Sequence, residues 1–104
     1  MNYFDYQTYC KPETVNELVK LGYKRIPEDI VADPNQVPLE EARAFLMREY
    51  NSIYYRIWNN DEAKFEYKVT FIDDPDIILE GKGFDKAQDA LQDAIDAIID
   101  ILNK

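Results

Sequence analysis

The sequence contains no histidine, and this absence narrows its chemistry more than any residue that is present. Histidine is the usual general base near neutral pH and a leading ligand of zinc, copper and nickel. Catalytic triads and metal sites built on histidine are therefore excluded. Ser52 is the only serine and Cys10 the only cysteine, so the sequence offers few nucleophiles for covalent catalysis and no thiolate cluster for a metal.

Glycine and long apolar runs are also scarce. Three glycines, at positions 22, 81 and 83, cannot form a phosphate-binding P-loop or a dinucleotide-binding fingerprint. No segment approaches the roughly 18 consecutive apolar residues of a membrane helix, and residues 1–10 have neither the basic nor the apolar region of a secretory signal. These absences predict a cytoplasmic protein with no membrane contact, no cofactor and no metal site.

The residues that are present predict one small acidic domain. The chain has 104 residues, of which 46% are hydrophobic, and a formal net charge of -9. A chain of this length can bury one core, and its aromatic and aliphatic content is higher than that of a disordered tail. We expect one folded unit with a negatively charged surface.

The pattern of apolar residues divides the chain into two parts. Residues 1–37 hold four aromatic residues among the first nine, a short helix opened by Pro12 and closed by Gly22, and a connection interrupted by prolines. Thr14 stands at the N-cap position of a capping box in that helix. We expect this N-terminal aromatic arm and short helix to pack on the core domain, residues 38–104.

The core domain has the pattern of an α+β fold. A helix over 39–50 precedes three strands over 53–58, 65–72 and 77–80, and a long helix over 84–102 follows them. Consecutive strands with short links form an antiparallel meander. The predicted architecture is an N-terminal helical segment, then helix, three-stranded antiparallel meander, and long C-terminal helix packed on one sheet face.

The first strand carries two alternating sets of side chains. We expect Ile53, Tyr55 and Ile57 to face the core. The opposite set would then be exposed as a candidate contact surface, and it consists of Tyr54, Arg56 and Trp58. Tyrosine, tryptophan and arginine dominate the energetics of protein interfaces. The alternative is that these three side chains pack under the N-terminal aromatic residues.

The last helix has two apolar sectors and one acidic sector around its axis. The larger apolar sector consists of Phe84, Leu91, Ile95, Ile98, Ile99 and Leu102. The smaller sector holds Ala87, Ala90, Ala94, Ala97 and Ile101. We expect the large residues to face the sheet and the alanines to approach another backbone closely, either the helix over 39–50 or a second copy in a homodimer.

The acidic sector predicts a ridge of like charges facing water. Its members are Asp85, Asp89, Asp93, Asp96 and Asp100, and we call them the aspartate ridge. Each repulsion between neighbours costs about 0.2–0.5 kcal/mol, which is small beside the burial of the aliphatic side chains at about 1.5–3 kcal/mol each. The ridge is interpreted as a solvated face, with recognition of a basic partner as the alternative.

Several segments together resemble a family of small uncharacterised proteins encoded by gut anaerobes, their phages and mobile elements. The segments that carry the likeness are Val37–Leu46, Glu49–Asn51, the strands around Trp58, Gly83–Ala87, Ala90–Leu91 and, earlier, Leu18–Tyr23. The resemblance covers most of the chain from about Pro12, and these are packing and capping positions. Pro38 departs from the Ser/Thr-type cap of the family. The resemblance implies a phage or mobile-element accessory protein and no known activity.

The order helix, three strands, helix is also similar to the double-stranded RNA-binding fold. Domains of that fold hold phosphates with lysine and arginine at the start of the second helix. Here the corresponding segment reads Asp85-Lys86-Ala87-Gln88-Asp89. The likeness therefore implies the fold alone, and no direct binding of nucleic acid is expected.

Three functions are consistent with this sequence. The first is a non-catalytic protein-interaction module with a protein partner of unknown identity. The second is an acidic nucleic-acid mimic that presents the aspartate ridge to a basic cleft, as an anti-defence protein would. The third is an enzyme or magnesium site built on Asp73, Asp74 and Asp76. Because Asp-Asp-Pro-Asp forms a turn without a metal, we predict that the protein is not an enzyme.

Overall fold

The computed structural model describes residues 9–24 and 37–103, which contain three helices and three strands. The elements follow in the order α1, α2, β1, β2, β3 and α3. The predicted aromatic arm, except Tyr9, and the proline-interrupted connection lie outside the described residues.

The first helix, α1, is Pro12–Lys20. Proline suits the first helical position because the N–H that it lacks would have no partner there. Gly22 follows the C-cap residue Leu21, and its φ of 105° lies in the region that favours glycine. The amides of Gly22 and Tyr23 donate to the carbonyls of Val19 and Leu18 at 3.0 and 2.9 Å, which is a Schellman motif. The predicted glycine cap is confirmed.

The predicted capping role of Thr14 is wrong. The N-cap residue of α1 is Lys11, and no side chain caps the helix start. Thr14 lies inside the helix and is buried, and its hydroxyl donates to Asp96 Oδ1 at 2.7 Å. The helix begins earlier than the capping-box spacing predicts because Pro12 can occupy its first turn.

The second helix, α2, is Leu39–Tyr50, with the bounds that the sequence predicts. Pro38 precedes it as the N-cap residue, and its carbonyl accepts the amide of Ala42 at 3.1 Å. The helix stops at Asn51, which has φ 60° and ψ 27°. Asparagine tolerates this left-handed conformation better than most residues, so the chain can reverse there into the first strand.

The sheet is an antiparallel meander of three strands. These are β1, Ser52–Asn59, β2, Lys64–Phe71, and β3, Ile78–Phe84, in the order β1-β2-β3. The predicted topology is confirmed, but β3 runs further than predicted because Gly83 does not end it. A bulge with φ 86° at Gly83 lets the strand continue until Phe84 pairs with Phe65.

The predicted faces of β1 are reversed in the structure. Tyr54 pairs with Val69 and Arg56 pairs with Tyr67. Directly opposite residues share a face of the sheet, and Val69 and Tyr67 are buried in the core. Tyr54 therefore faces the helices, whereas Tyr55 faces away. Hydrophobicity could not decide the matter because β1 has large apolar residues on both faces.

The last helix, α3, is Ala87–Leu102, so it begins three residues later than predicted and leaves Phe84 in β3. Its buried residues are Ala90, Leu91, Ala94, Ile95, Ile98 and Ile99. The prediction that the large aliphatic side chains face inward is confirmed. The helix contacts all three strands, α1 and α2, and it packs on one sheet face as expected.

All three helices lie on the same side of the sheet. α3 contacts every strand, α2 contacts α3 and β1, and α1 contacts α3. The core between the two layers also contains residues from the N-terminal part of the chain, namely Cys10, Val15, Leu18, Tyr23 and Val37. Burial raises the pKa of the Cys10 thiol to about 12, helped by the negative charge of Asp96, so this cysteine is unreactive at neutral pH.

Tyr67 occupies space above the backbone of Gly81, its partner on β3. A Cβ atom at position 81 would lie 2.3 Å from Tyr67 Cε2 and 2.7 Å from Tyr67 Cζ. Glycine is therefore needed at position 81 for the close approach of the ring and not for its backbone angles.

Gly81→Ala is expected to lower the free energy of unfolding by about 1–3 kcal/mol, because the Tyr67 ring must move out of its packed position. Urea denaturation measures the loss, and Lys82→Ala, on the opposite face, is the matched control. In a Tyr67→Leu background the same alanine should cost much less. A loss of equal size in both backgrounds would show that the ring is not the cause.

Candidate functional site

Thr14, Gln92 and Asp96 form a polar cluster between α1 and α3. The Thr14 hydroxyl donates to Asp96 Oδ1 at 2.7 Å, and Gln92 Nε2 lies 3.0 Å from both Asp96 Oδ2 and Thr14 Oγ1. The amide of Lys11 donates to Gln92 Oε1 at 3.2 Å. Asp96 is half-buried in this cluster. Its carboxylate is thus engaged in holding the start of α1 against α3.

Asp93 is joined to the sheet in a similar way. The hydroxyl of Tyr67, from the middle of β2, donates to Asp93 Oδ2 at 2.7 Å. The Tyr67 ring is stacked with Tyr54 at 6.3 Å between centroids and packs on Phe84 at 5.9 Å. Burial raises the pKa of Tyr67 well above its usual range, and its hydrogen bond to Asp93 raises it further. This tyrosine stays protonated and links β2 to α3.

The remaining aspartates of the predicted ridge do not form a continuous row. Asp85 precedes α3 and forms an ion pair with Lys64, and hydrogen bonding to Lys64 Nζ lowers the pKa of its carboxyl group. Asp89 and Asp100 are exposed on α3. All five aspartates except Asp96 are exposed, but they differ in their contacts. Asp93 and Asp96 accept hydrogen bonds from other elements of the fold, and Asp85 is ion-paired outside the helix.

An open groove of about 570 Å³ runs beside the polar cluster. Its lining includes Glu13, Glu17, Asp96 and Asp100 together with Lys11 and Asn103, and Asn103 Nδ2 donates to Glu17 Oε2 at 3.1 Å. In residues 9–24 and 37–103, no three acidic or cysteine side chains are grouped in a way that could bind a metal ion. The groove is acidic and has no further feature that indicates a ligand.

The candidate residues of β1 are not brought together in one exposed patch. Tyr54 packs against the core, and its buried hydroxyl has no hydrogen-bond partner within the described part of the chain. Burial raises the pKa of Tyr54. Arg56 and Trp58 are exposed near the end of the strand, where the Trp58 ring packs on Phe65 at 4.7 Å between centroids.

A different surface emerges from the register of the strands. The side of the sheet that faces away from the helices carries apolar residues of β1, β3 and the residue after β2. Tyr55, Ile57, Ile72 and Ile78 are exposed by 48%, 43%, 64% and 51% on this side. Together with their neighbours Ile53, Lys64, Glu66, Lys68, Thr70, Glu80 and Lys82 they form what we call the open sheet face.

Sequence reasoning missed the open sheet face, although two signals pointed to it. Apolar residues occupy successive positions in β1, and Ile77, Ile78 and Leu79 do the same in and before β3. A strand with one wet face alternates apolar and polar residues, so unbroken apolar runs indicate a sheet with apolar residues on both faces. Large exposed apolar patches typically mark sites of interaction.

Comparisons with protein-family models, with curated proteins and with solved structures gave no match to this chain. The resemblance to phage-encoded proteins and to the double-stranded RNA-binding fold stays a prediction. Among the described helices, none has the length and apolar character needed to cross a membrane.

Tyr67→Phe is expected to lower the free energy of unfolding by about 0.5–1.5 kcal/mol, because it removes the hydrogen bond to Asp93 without changing the packing of the ring. Tyr55→Phe is the matched control, since Tyr55 is half exposed, and it should change stability by less than about 0.5 kcal/mol. Urea denaturation of both variants is the measurement. Equal losses in the two variants would contradict a structural role for the Tyr67 hydroxyl.

The raised pKa values of Tyr23, Tyr54 and Tyr67 predict a loss of stability at alkaline pH. A tyrosine whose pKa is higher in the folded than in the unfolded protein contributes stability below the unfolded value of about 10, and this contribution is lost as pH rises above it. Urea midpoints measured upwards from about pH 8 should therefore fall above about pH 10. The fall should be shallower in Tyr67→Phe, and an identical slope would contradict the prediction.

Proposed function

We propose that the protein is a non-catalytic protein-interaction module and that the open sheet face is its contact surface. The observation that carries the proposal is the exposure of Tyr55, Ile57, Ile72 and Ile78 on one side of the sheet, each by more than two-fifths. They lie on the two edge strands and at the end of β2, around the polar residues Glu66, Lys68 and Thr70 of the central strand. Single exposed apolar residues are normal on protein surfaces, but several of them on one face are a mark of binding.

The composition of the open sheet face supports the same proposal. Tyr55 supplies a rigid amphipathic ring of the kind enriched in interfaces. Strands also hold their side chains on a stiff backbone, so little conformational entropy is lost when such a surface is covered. A partner that covers this face would gain about 25 cal/mol for each Å² of apolar area removed from water.

The aspartate ridge supports the alternative of a nucleic-acid mimic less well. A mimic needs carboxylates that are free to meet the basic groups of its partner. Asp93 and Asp96 accept hydrogen bonds from Tyr67, Thr14 and Gln92. With Asp85 paired to Lys64, at least three of the five carboxylates are thus already engaged within the chain, and we favour the open sheet face.

The absence of histidine in the sequence supports a function without catalysis. The acidic turn supports it as well, since Asp73 Oδ2 accepts Asn51 Nδ2 at 2.6 Å and the Asp74 carbonyl accepts the amide of Ile77 at 3.1 Å. The second hydrogen bond is that of a turn, and the first joins this turn to the end of α2. That the module is a phage or mobile-element accessory protein remains a proposal that rests on the sequence resemblance.

Photocrosslinking in cells that naturally produce the protein tests the contact surface. A benzoylphenylalanine residue placed at position 57 or 78 should give discrete crosslinked species that mass spectrometry can identify. The matched control is position 47, since Met47 is exposed by 46% on α2, in the helical layer. Crosslinks at 57 and 78 that disappear in Tyr55→Thr would support the proposal. Crosslinks at 47 alone, or none at any position, would contradict it.

A further inference from the structure

The geometry points to a second copy of this chain as the protein that covers the open sheet face, in a symmetric dimer with the two sheets packed face to face. This inference rests on the proposed function, because it names the partner of the same surface. It is carried by the distribution of charge across that surface and by the order of the residues along the three strands.

The open sheet face is electrically balanced although the chain is strongly acidic. The chain has a net charge of -9, but the strands carry on this face the acids Glu66 and Glu80 and the bases Lys64, Lys68 and Lys82, with Lys64 already paired to Asp85. Two copies that approached through their helical layers would bring the excess of acidic residues together. Through the open sheet face they meet without net repulsion.

The order of the charges along the strands is complementary to itself. On β2, the acid Glu66 is followed two residues later by the base Lys68 on the same face, and Glu80 and Lys82 repeat this step on β3. A twofold axis that lies between the sheets, perpendicular to the strands, reverses the order in the second copy. Each Glu66 then stands over Lys68 of the other copy, and each Lys68 over its Glu66.

Tyr55 and Ile57 obey the same symmetry, whereas Ile72 and Ile78 lie towards one end of the strands, away from the axis. Ile57 pairs with Glu66 and Tyr55 pairs with Lys68 in the β1–β2 register, so the axis that exchanges the two charges also places Tyr55 over Ile57 of the other copy. Two sheets packed in this way lie about 10 Å apart with their strands inclined by about 30°. The apolar pairs supply affinity, and the charge pairs fix the register.

The small area of the face predicts a weak dimer. Strands of seven or eight residues in a three-stranded sheet cover about 26 Å by about 14 Å, a flat footprint of about 360 Å². A standard interface buries about 800 Å² on each partner. We therefore expect a weak dimer that forms only at high protein concentration.

Charge reversal distinguishes this arrangement from any other dimer. Sedimentation equilibrium is measured from about 10 µM to about 1 mM, the range in which a small interface dissociates. The wild-type protein should dimerise, and Lys68→Glu and Glu66→Lys should each bind themselves at least about tenfold more weakly because like charges then face each other. Lys20→Glu on α1 changes the net charge as Lys68→Glu does and should leave the dimer unchanged. Circular dichroism verifies that each variant is folded.

Two further measurements restore the pairing of acid with base across the interface. An equal mixture of Lys68→Glu and Glu66→Lys should form the heterodimer, since each base again faces an acid, and the double variant E66K/K68E should dimerise like the wild type. A monomeric wild type at every concentration overturns the inference, as does a Lys68→Glu variant that dimerises like Lys20→Glu. If crosslinks at position 57 then join the chain to a different protein, only the inference of a dimer is refuted. If there are none, the proposed function fails as well.

Discussion

The burial of one side of α3 against the sheet is the interaction on which the rest of the structure depends. Leu91, Ile95 and Ile98 are almost fully buried there, and each contributes about 1.5–3 kcal/mol. This exceeds by far the repulsion between neighbouring aspartates on the polar side of the helix, at about 0.2–0.5 kcal/mol for each pair. Since α1 and α2 pack against α3, all three helices lie on one side of the sheet. The opposite side is left open as a result.

The parts of the fold that local chemistry determines could be predicted from the sequence. α2 has a proline before it and an asparagine that reverses the chain after it, and its bounds follow from these signals. The meander follows from short acidic and asparagine-rich links between strands. The faces of β1 could not be predicted, because apolar residues occupy both of its sides. The pairing of Tyr54 with Val69 decides them, and that pairing depends on the partner strand.

The candidate surfaces also depend on residues that are distant from one another in the sequence. Helical spacing placed the aspartates of α3 on its polar side, but the residues that engage them come from elsewhere in the chain, namely Tyr67 from β2 for Asp93 and Thr14 from α1 for Asp96. Spacing within one helix cannot reveal such partners. The open sheet face is likewise a property of three strands in register, so no single strand displays it.

The bulge in β3 affects one of the two edges of the sheet. β3 lies at the edge, and its register shifts near Gly83, whose φ is 86°. A bulged edge presents its backbone N–H and C=O groups out of line, so an extended chain cannot add to it along its whole length. Successive strand addition, the way in which amyloid fibres grow, is therefore interrupted at the β3 edge of the sheet.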